Sequence, residues 1–181
     1  MVPHVRRYGM NPLVYVGLGA NLGDRRATLR QAVAALGGLG LVTAASRLWE
    51  TEPMYVTDQP AFLNAVVAVE TAASGPEEIV RQLQRIERDL GRTASRRFGP
   101  RAIDLDLLLI DGSTVVAQEG DVVVPHLRLA ERRFVLAPLA ELAPEAIDPR
   151  TGRSIRALLD AVSGQRATVV EDAEWWKIAS S

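Results

Sequence analysis

The residues best suited to chemistry lie in one stretch, 92–111, where an arginine-rich segment leads into a pair of aspartates. Asp104 and Asp106 are the charged interruptions of an apolar run, Ile103–Ile110, that stands between a glycine–proline and an aspartate–glycine turn signal. A short apolar run between turn signals predicts a β-strand. Because residues i and i+2 of a strand point to the same face, we expect the two carboxylates side by side. The intervening leucines are expected on the opposite face: Leu105, Leu107 and Leu109.

Two adjacent carboxylates repel each other, so one of them is expected to have a raised pKa unless a cation lies between them. The candidate cations are arginine and a divalent metal. Magnesium suits oxygen ligands, because it takes one or two carboxylates and completes its shell with water and phosphate. The arginines near the pair, which would suit a bridging polyphosphate, are Arg92, Arg96, Arg97 and Arg101. The alternative is a solvated strand face with nearby salt bridges, because Asp-x-Asp is a weak pattern.

The composition indicates a folded domain and argues against several classes of protein. A chain of 181 residues with 48% hydrophobic residues is long enough for one domain with a core and too apolar for a disordered chain. The absence of cysteine excludes disulfides, thiolate ligands and a cysteine nucleophile. A net charge of -1 argues against bulk nucleic-acid binding. No run approaches the ~20 apolar residues of a membrane span, and residues 1–12 lack the apolar core of a signal peptide, so we expect a cytoplasmic protein.

The hydrophobic pattern and the capping signals predict the elements that must position the aspartates. Strands are predicted at 13–18, 39–49, 62–71 and 103–110, and helices at 25–36 and 76–90. This βαββαβ order is the ferredoxin-like pattern, for which we expect an antiparallel or mixed sheet with helices on one face. Two more helices within 135–161 and short strands at 122–124 and 168–171 are predicted as C-terminal additions. We therefore predict an α+β fold with a single domain, 13–172, and with tails at 1–12 and 173–181.

Three further features could serve either a site or only the fold. Gly17, Gly19 and Gly23 depart by one residue from the spacing of the dinucleotide-binding fingerprint, so a tight turn before the first helix is the preferred interpretation. Asn64 is an amide inside an apolar strand and needs a hydrogen-bond partner, either in the protein or in a ligand. His126 is the only histidine outside the N-terminal tail, and a lone histidine is more often structural than catalytic.

Five segments of the chain resemble the 6-hydroxymethyl-7,8-dihydropterin pyrophosphokinase family, and they occur in the family's order. They are VGLGANLGD (16–24), TDQPAFLNA (57–65), QRIERDLGR (84–92), RFGPRAIDLD (97–106) and VPHLRLAERRF (124–134). The motif GPRxxDLD is distinctive, whereas the glycine segment is not. The resemblance implies transfer of pyrophosphate from ATP to the hydroxymethyl group of the pterin, with AMP as the other product, in folate biosynthesis.

The resemblance also implies a role for each matching residue. The catalytic group would be Arg92, Arg101, Asp104 and Asp106, in which the two aspartates hold two Mg²⁺ ions on the ATP phosphates. ATP would also be bound by Gln84, Glu87, the backbone at Leu107, His126 and Arg132. The pterin would be bound at its polar edge by Asn64 and by backbone groups near Thr51 and Met54. Its ring would lie between Phe62 and Phe134, with Phe98 closing over it.

Residues 93–99 are predicted to form a mobile lid, because Phe98 is the only sizeable apolar side chain in this link between a helix and the Asp104 strand. Arg96 and Arg97 repel each other until an anion arrives, so ATP and the pterin together are expected to close the lid and exclude water. Hydrogen exchange across 93–101 is expected to be fast in the free protein and to slow clearly only in the ternary complex.

Two other functions stay open at the level of sequence. One is a different magnesium–nucleotide transferase on the same scaffold, which turnover assays with other alcohols would identify. The other is a non-catalytic nucleotide- or RNA-binding module, since ferredoxin-like sheets often bind RNA through aromatic side chains. The near-neutral charge and the aspartate pair argue against RNA. We expect ATP and hydroxymethyldihydropterin as small-molecule partners, no nucleic acid, no membrane, and a monomer.

Overall fold

The computed structural model describes residues 11–54, 56–92, 99–112, 117–162 and 164–177. The strands in these residues are Leu13–Ala20 (β1), Gly40–Ala45 (β2), Leu48–Thr51 (β3), Phe62–Thr71 (β4), Asp104–Ile110 (β5), Ala117–Glu119 (β6), Val122–Val124 (β7), Ile147–Asp148 (β8), Arg153–Ser154 (β9) and Ala167–Glu171 (β10). The α-helices are Arg25–Leu36 (α1), Pro76–Asp89 (α2), Arg133–Leu142 (α3) and Ile155–Ala161 (α4), and a 3₁₀ turn spans Leu129–Glu131.

The two helices of the N-terminal half begin and end at the residues that the capping signals predict. The Asp24 carboxylate accepts a hydrogen bond from the Ala27 N–H at 3.0 Å, which satisfies one of the free donors at the start of α1. Helix α2 begins with Pro76, which lacks an N–H that would otherwise need a partner there. It ends before Gly91, whose φ of 86° reverses the chain direction at little steric cost.

The central sheet has the strand order β10-β3-β4-β1-β5, and β2 also pairs with β4. The strand pairs of this sheet are antiparallel wherever the structure describes them. If β2 and β3 are counted as one interrupted strand, the order from β1 to β5 is βαββαβ, and the predicted α+β, ferredoxin-like fold is confirmed. The predicted C-terminal helices and short strands are also present.

The second predicted strand, 39–49, is wrong as one continuous element, because it splits into β2 and β3. Ala45 pairs with Val67 and Trp49 pairs with Asn64, so four steps (49 − 45) face three steps (67 − 64) along β4. Ser46 accommodates the extra residue: its N–H donates to the Val66 carbonyl at 2.8 Å, and its hydroxyl oxygen accepts from the Val66 N–H at 2.9 Å. The side-chain oxygen thus takes the place of a backbone acceptor at this bulge.

Helices cover both faces of the sheet, so the prediction of helices on one face is wrong. On the first face, alternate residues of β1 and β4 such as Val16 and Val67 pack in one core with Leu29 and Leu36 of α1 and with Leu83 of α2. On the second face, a separate core is formed by Tyr15, Val66, Ala68, Leu108, Leu136, Leu139, Ile155 and Leu158, which include residues of α3 and α4. Strand β4 is buried along nearly its whole length, as expected for a strand that is covered on both sides.

The alternation predicted for the leucines of β5 holds for Leu105 and Leu107, which lie in the first core, but it is wrong for Leu109. Leu107 pairs with Val16 and Leu109 pairs with Tyr15, so β5 carries an extra residue at this point. The bulge turns Leu109 to the face that carries Tyr15 and the two aspartates.

Trp175, which the sequence placed in a C-terminal tail, belongs to the core. Its side chain is 4% exposed, and its indole N–H donates to the Ser46 carbonyl at 2.9 Å. A buried indole with a satisfied N–H stabilises the packed domain, so the described part of this segment is not a loose tail. The predicted division into one domain, 13–172, with two tails otherwise stays a prediction. In the part of the chain that the structure describes, no helix is both long and apolar enough to cross a membrane.

Candidate active site

Two glycines of β1 keep part of the second sheet face open. A Cβ atom on Gly19 would lie 2.9 Å from the Asn64 amide oxygen, and one on Gly17 would lie 3.2 Å from the Leu108 side chain. Both glycines lie within the strand, so the interpretation of a tight turn is wrong for them. It holds for Gly23, which has a φ of 62° just before α1.

The strand register aligns the polar residues on both sides of these glycines. Gly19 pairs with Asn64 on one side and with Asp104 on the other, and Gly17 pairs with Asp106. Paired residues share a face of the sheet, so the amide and the two carboxylates lie on one surface. Asn64 and Asp104 are separated by one strand, which corresponds to about 10 Å at the usual strand spacing.

An open cavity of about 240 Å³ lies over this surface. It is lined by Gly17, Leu18, Gly19, Thr51, Glu52, Met54, Gln59, Phe62, Asn64, Ala65, Gly99, Arg101, Asp104, Asp106, Leu108, His126, Arg132, Phe134 and Val135. The predicted residues are thus largely brought together. Gln84 does not line the cavity and is exposed on α2, and the Leu107 side chain points into the first core. Phe98 and residues 93–98 of the predicted lid lie outside the described residues.

Arginine and carboxylate groups alternate at the β5 side of the cavity. The Arg101 and Arg92 guanidinium groups both contact one carboxylate oxygen of Asp104, at 2.7 Å and 3.1 Å. Arg92 also pairs with Glu87, which lies behind the cavity wall and accepts a hydrogen bond from the Leu105 N–H at 2.7 Å. Glu87 therefore connects α2 to the start of β5 and holds Arg92 against Asp104.

The burial of Glu87 and its two polar contacts act on its pKa in opposite directions. Its side chain is buried, and this burial raises its pKa, while the hydrogen bond from the Leu105 N–H and the charge of Arg92 act to lower the pKa. The buried carboxylate is stabilised only as long as these two partners stay in place. Glu87 does not line the cavity, and its contacts are with Arg92 and with the start of β5.

The environment of the cavity has a strong effect on the pKa of Asp106. Burial, and after it the negative charge of Asp104, raise the pKa of Asp106 to about 7, and the charges of Arg132 and Arg101 only partly offset this. A cation between the carboxylates would remove the repulsion. Two oxygen ligands on one strand face, open to a cavity with room for water and phosphate, fit the ligand preferences of Mg²⁺.

In the absence of metal, Asp106→Asn is expected to raise the midpoint temperature of unfolding, and to raise it more at pH 8 than at pH 5. The folded-state pKa lies above the usual value of 3.8, so the folded protein binds a proton that the unfolded chain has lost. Ionisation of Asp106 therefore destabilises the fold increasingly as the pH rises toward 7. Thermal unfolding with a chelator at both pH values measures the effect.

The matched control is Asp160→Asn, which removes an exposed carboxylate on α4. It is expected to change the midpoint temperature little at either pH. If Asp106→Asn raises the midpoint temperature of unfolding by the same amount at pH 5 and at pH 8, the raised pKa of Asp106 is contradicted.

His126 lines the cavity beside β5 as a neutral imidazole. Its ring atom Nδ1 accepts a hydrogen bond from the Arg128 N–H at 3.2 Å, so the ring proton is on Nε2. Burial, and after it the charges of Arg132 and Arg150, lower the pKa of His126 to about 4. The side chain is therefore suited to donate a hydrogen bond at neutral pH and carries no positive charge.

Arg132 lies at the same wall and has a buried donor without a partner. Its Nε atom is buried and makes no hydrogen bond to any residue that the structure describes. Its guanidinium group lies 5.6 Å from the centre of the Phe134 ring, on which it stacks. Because Arg132 also lines the cavity, its guanidinium group is suited to bind an anion there.

The β4 side of the cavity is built for a flat polar ligand. The Asn64 amide donates to the Thr51 hydroxyl at 2.6 Å, and both side chains are buried. The prediction that Asn64 needs a partner is thereby met within the protein, and its amide oxygen is next to Gly19. Phe62, Phe134 and Met54 line the cavity around this amide, as an aromatic ligand would require.

Asn21 ties the two sides of the cavity together, whereas the sequence alone leaves open whether it serves a site or only satisfies the turn after β1. Its side chain is 2% exposed; the amide donates to the Gln59 side chain at 2.9 Å and to the Pro60 carbonyl at 3.0 Å, and the amide oxygen accepts from the Arg101 N–H at 2.8 Å. Asn21 thus links the loop before β4 to the segment before β5. An amide directly after an apolar strand was the available signal, but its partners, 38 and 80 residues away, have no local signature.

An enzyme that transfers a phosphoryl-type group must mainly position its substrates and neutralise their charge, and this cavity offers both. The fold and the site therefore place the chain among phosphate-transferring enzymes with a ferredoxin-like fold. A family model described as 7,8-dihydro-6-hydroxymethylpterin-pyrophosphokinase (HPPK) matches residues 15–144. The chain belongs to this family.

Curated relatives of this family include single-domain and multi-domain proteins. A 2-amino-4-hydroxy-6-hydroxymethyldihydropteridine pyrophosphokinase of Bacillus subtilis is 44% identical over 138 residues, which cover 75% of this chain and 81% of that protein. The protein of the same name from Methylorubrum extorquens is 44% identical over 150 residues, which cover 81% of this chain and 92% of that protein. A mitochondrial folate synthesis bifunctional protein of Pisum sativum is 45% identical, but the match covers only 26% of its length.

The solved structures show the same fold. A crystal structure of Plasmodium falciparum HPPK-DHPS has a TM-score of 0.70 and 15% identity, and the match covers 86% of this chain and 46% of that chain. This chain therefore spans less than half of that solved chain, and at such low identity the likeness concerns the fold alone. It agrees with the ferredoxin-like arrangement described above.

Proposed function

We propose that the cavity is where this pyrophosphokinase transfers a pyrophosphate group from ATP to the hydroxymethyl group of 6-hydroxymethyl-7,8-dihydropterin. The reaction itself, a step of folate biosynthesis, follows from membership of the family and from the 44% identical relatives. One observation supports the location: β1 presents only glycine hydrogens between the Asn64 amide and the two carboxylates, so a single cavity holds both kinds of ligand group. A pterin over β4 and a triphosphate over β5 would meet above the glycines.

The β5 side would bind the triphosphate of ATP. Asp104 and Asp106 would hold two Mg²⁺ ions on the phosphates, which would neutralise the charge that develops during transfer. Arg101 and Arg92 already contact Asp104, and their remaining N–H groups are suited to phosphate oxygens. Gln84, Glu87 and the backbone at Leu107 stay predicted nucleotide contacts.

His126 and Arg132 would bind the same phosphates without adding a charge that titrates near neutral pH. The His126 ring would donate from Nε2, and Arg132 would contribute its guanidinium group. The reaction breaks the bond between the β-phosphorus of ATP and the oxygen that bridges it to the α-phosphorus. The pterin hydroxyl oxygen forms the new bond to the β-phosphorus, and AMP leaves. Arginine forks that are already held by carboxylates need little reorganisation when the charge shifts toward AMP.

The test of this function is an incubation of the protein with ATP, MgCl₂ and the pterin, in which AMP and the pterin diphosphate are measured. Equal amounts of the two products are expected. Formation of ADP in place of AMP, or turnover with other alcohols but not with the pterin, would favour a different transferase. An incubation with EDTA in place of MgCl₂ is the control, and it is expected to give no product.

Asn64→Ala is expected to weaken pterin binding roughly tenfold, which is the scale of leaving a buried hydrogen-bonding group without its partner. ATP binding is expected to stay unchanged, because the carboxylates lie on β5. Isothermal titration calorimetry with the pterin and with a non-hydrolysable ATP analogue measures both affinities.

Thr51→Val serves as the companion variant, because it removes the hydroxyl that holds the Asn64 amide and leaves the amide in place. It is expected to weaken pterin binding by less than Asn64→Ala does. A loss of ATP affinity with unchanged pterin affinity, or a change in thermal stability alone, would assign Asn64 to the fold.

We propose that the protein acts as a monomer. Analytical ultracentrifugation at micromolar concentration tests this. The cytoplasmic location stays a prediction, and cell fractionation tests it.

A further inference from the structure

A small hairpin packs behind His126 and lies outside the part of the chain that matches the family model. The family match ends at residue 144, whereas β8 and β9 pair Ile147 with Ser154 and Asp148 with Arg153. The turn between the strands is closed by hydrogen bonds from the N–H groups of Thr151 and Gly152 to the Asp148 carbonyl. The family's five motifs lie before this hairpin and do not indicate its purpose.

Arg150, in the turn of this hairpin, contacts the backbone of the cavity wall. Its Nη2 atom donates to the His126 carbonyl at 2.6 Å. Its own position is held by Asp148, which is fully buried and accepts from the Arg150 backbone N–H at 3.0 Å and from the Arg150 Nε at 3.5 Å. The guanidinium is therefore anchored on one side and donates a short, charge-assisted hydrogen bond on the other.

The backbone of His126 is thus fixed from two directions. Its N–H donates to the Leu108 carbonyl at 3.0 Å, two residues beyond Asp106 on β5, and its carbonyl accepts from the Leu129 N–H at 2.9 Å and from Arg150. The ring is fixed in turn by the Arg128 N–H at Nδ1. An imidazole that binds as a neutral donor depends on its direction, because a hydrogen bond weakens steeply as its angle departs from linear.

We propose that Arg150 is a positioning residue, which holds the His126 backbone so that the imidazole donates to the phosphates of ATP. The ligand in this proposal rests on the proposed function of the cavity, whereas the placement of His126 by Arg150 does not. Arg150 does not line the cavity and so has no direct contact with ATP in this role.

The charged groups that act on the His126 ring come from each element packed around it. They are Arg128 on its own segment, Arg132 before α3, Arg150 on the hairpin and Asp104 on β5. The removal of Arg150 takes away one of three positive charges and also removes one of the two hydrogen bonds to the His126 carbonyl. The lost charge and the lost hydrogen bond both act on the imidazole. The NMR resonances of the His126 ring therefore report whether Arg150 holds it in place.

The first test measures the free protein and requires no ligand. The chain has two histidines, so His4→Gln leaves His126 as the only imidazole signal. In this background Arg150→Ala is expected to shift the ring ¹⁵N resonances of His126 and to reduce the difference between Nδ1 and Nε2, as the ring begins to exchange between tautomers. Arg150→Lys keeps a donor on the hairpin and is expected to give a smaller change.

The matched control is Arg153→Ala on the same hairpin. Arg153 carries the same charge but donates to the Ala157 carbonyl and does not contact His126. Unchanged His126 resonances in Arg150→Ala, or equal changes in Arg153→Ala, would overturn the placement. If Arg150→Ala does not fold, the His126 resonances of Arg150→Lys are compared with those of Arg153→Ala. Equal changes in these two variants would overturn the placement.

The second test measures ATP. Arg150→Ala is expected to raise the Kd of a non-hydrolysable ATP analogue and the KM for ATP roughly tenfold, the lower end of the range for lost outer-shell partners in metal sites. The kcat is expected to change much less, and Arg150→Lys is expected to restore part of the affinity. Equal affinity in wild type and Arg150→Ala would overturn the role in binding. If the wild type does not bind the analogue, the proposed function fails, and the NMR result still decides whether Arg150 positions His126.

Discussion

Replacement of either Asp104 or Asp106 by asparagine is expected to lower kcat at least about 100-fold, which is the scale of losing one transition-state electrostatic element. Asparagine has nearly the same shape as aspartate but no negative charge, so it binds Mg²⁺ much less well. Both carboxylates lie on one face of β5 and line the same cavity. The loss is therefore expected from each single variant. Initial rates at saturating ATP, pterin and MgCl₂ measure it.

The two variants are expected to differ in what else they change. Asp104 binds both Arg92 and Arg101, so Asp104→Asn also weakens two ion pairs and should weaken ATP positioning. Asp106 is the carboxylate with the raised pKa, so Asp106→Asn should lose activity while the metal-free protein becomes more stable. A variant that is more stable and inactive excludes unfolding as the cause. Asp160→Asn is the control for both and should keep wild-type turnover, and near-wild-type kcat in both site variants would contradict the assignment of the metal ligands.

Asp106→Asn is expected to lower activity and to raise stability, and both effects have one physical cause. Two carboxylates held together in a half-buried strand destabilise the free protein and provide the charge that binds the metal and ATP. A sequence under selection for stability alone would place at most one acid at these positions. The pair is therefore better evidence for a site than either aspartate by itself, and it was also recognisable from the sequence, because i and i+2 in a strand have only one geometry.

Features that depend on local periodicity were predictable, and features that depend on distant partners were not. Helix α1 begins after Asp24 and ends at Leu36, as its capping residue and apolar spacing indicate. The second strand was predicted as continuous, because the bulge at Ser46 is stabilised by Val66 on another strand and leaves little local trace. The burial of both faces of β4 could have been inferred from its nearly unbroken apolar run, and it predicts a layer of helices on the second face.

The same distinction applies within the site. Asp104, Asp106 and Asn64 could be singled out from their own strands, whereas Gly17 and Gly19 were assigned to a turn. Their role becomes visible only when β1 is placed between β4 and β5, since the space they leave is bordered by groups of other strands. Arg150 is a further case, because its partner His126 lies 24 residues away and outside the hairpin. Such contacts follow from the topology, which periodicity alone specifies only coarsely.

Arg101→Ala is expected to lower kcat about 100-fold, with a smaller change in KM for ATP. Arg101 contacts Asp104 through its side chain, and its backbone N–H is held by Asn21, so the guanidinium is fixed beside the phosphates before ATP arrives. Preorganised charge lowers the barrier most where negative charge increases, which is on the group being transferred and on the departing AMP. Arg101→Lys keeps the charge but loses the fork, and it is expected to recover only part of the rate.

The control for Arg101 is Arg85→Ala, which removes an exposed arginine of α2 and should leave kcat and KM near their wild-type values. Single-turnover rates with saturating pterin separate the chemical step from product release. Asn21→Ala is a useful third variant, because it leaves the Arg101 side chain in place and frees its backbone N–H. If preorganisation is the reason for the effect of Arg101, Asn21→Ala also lowers the single-turnover rate, but by a smaller factor than Arg101→Ala does. An effect of Arg101→Ala that appears only in KM, with an unchanged single-turnover rate, would show that Arg101 binds ATP without stabilising the transition state.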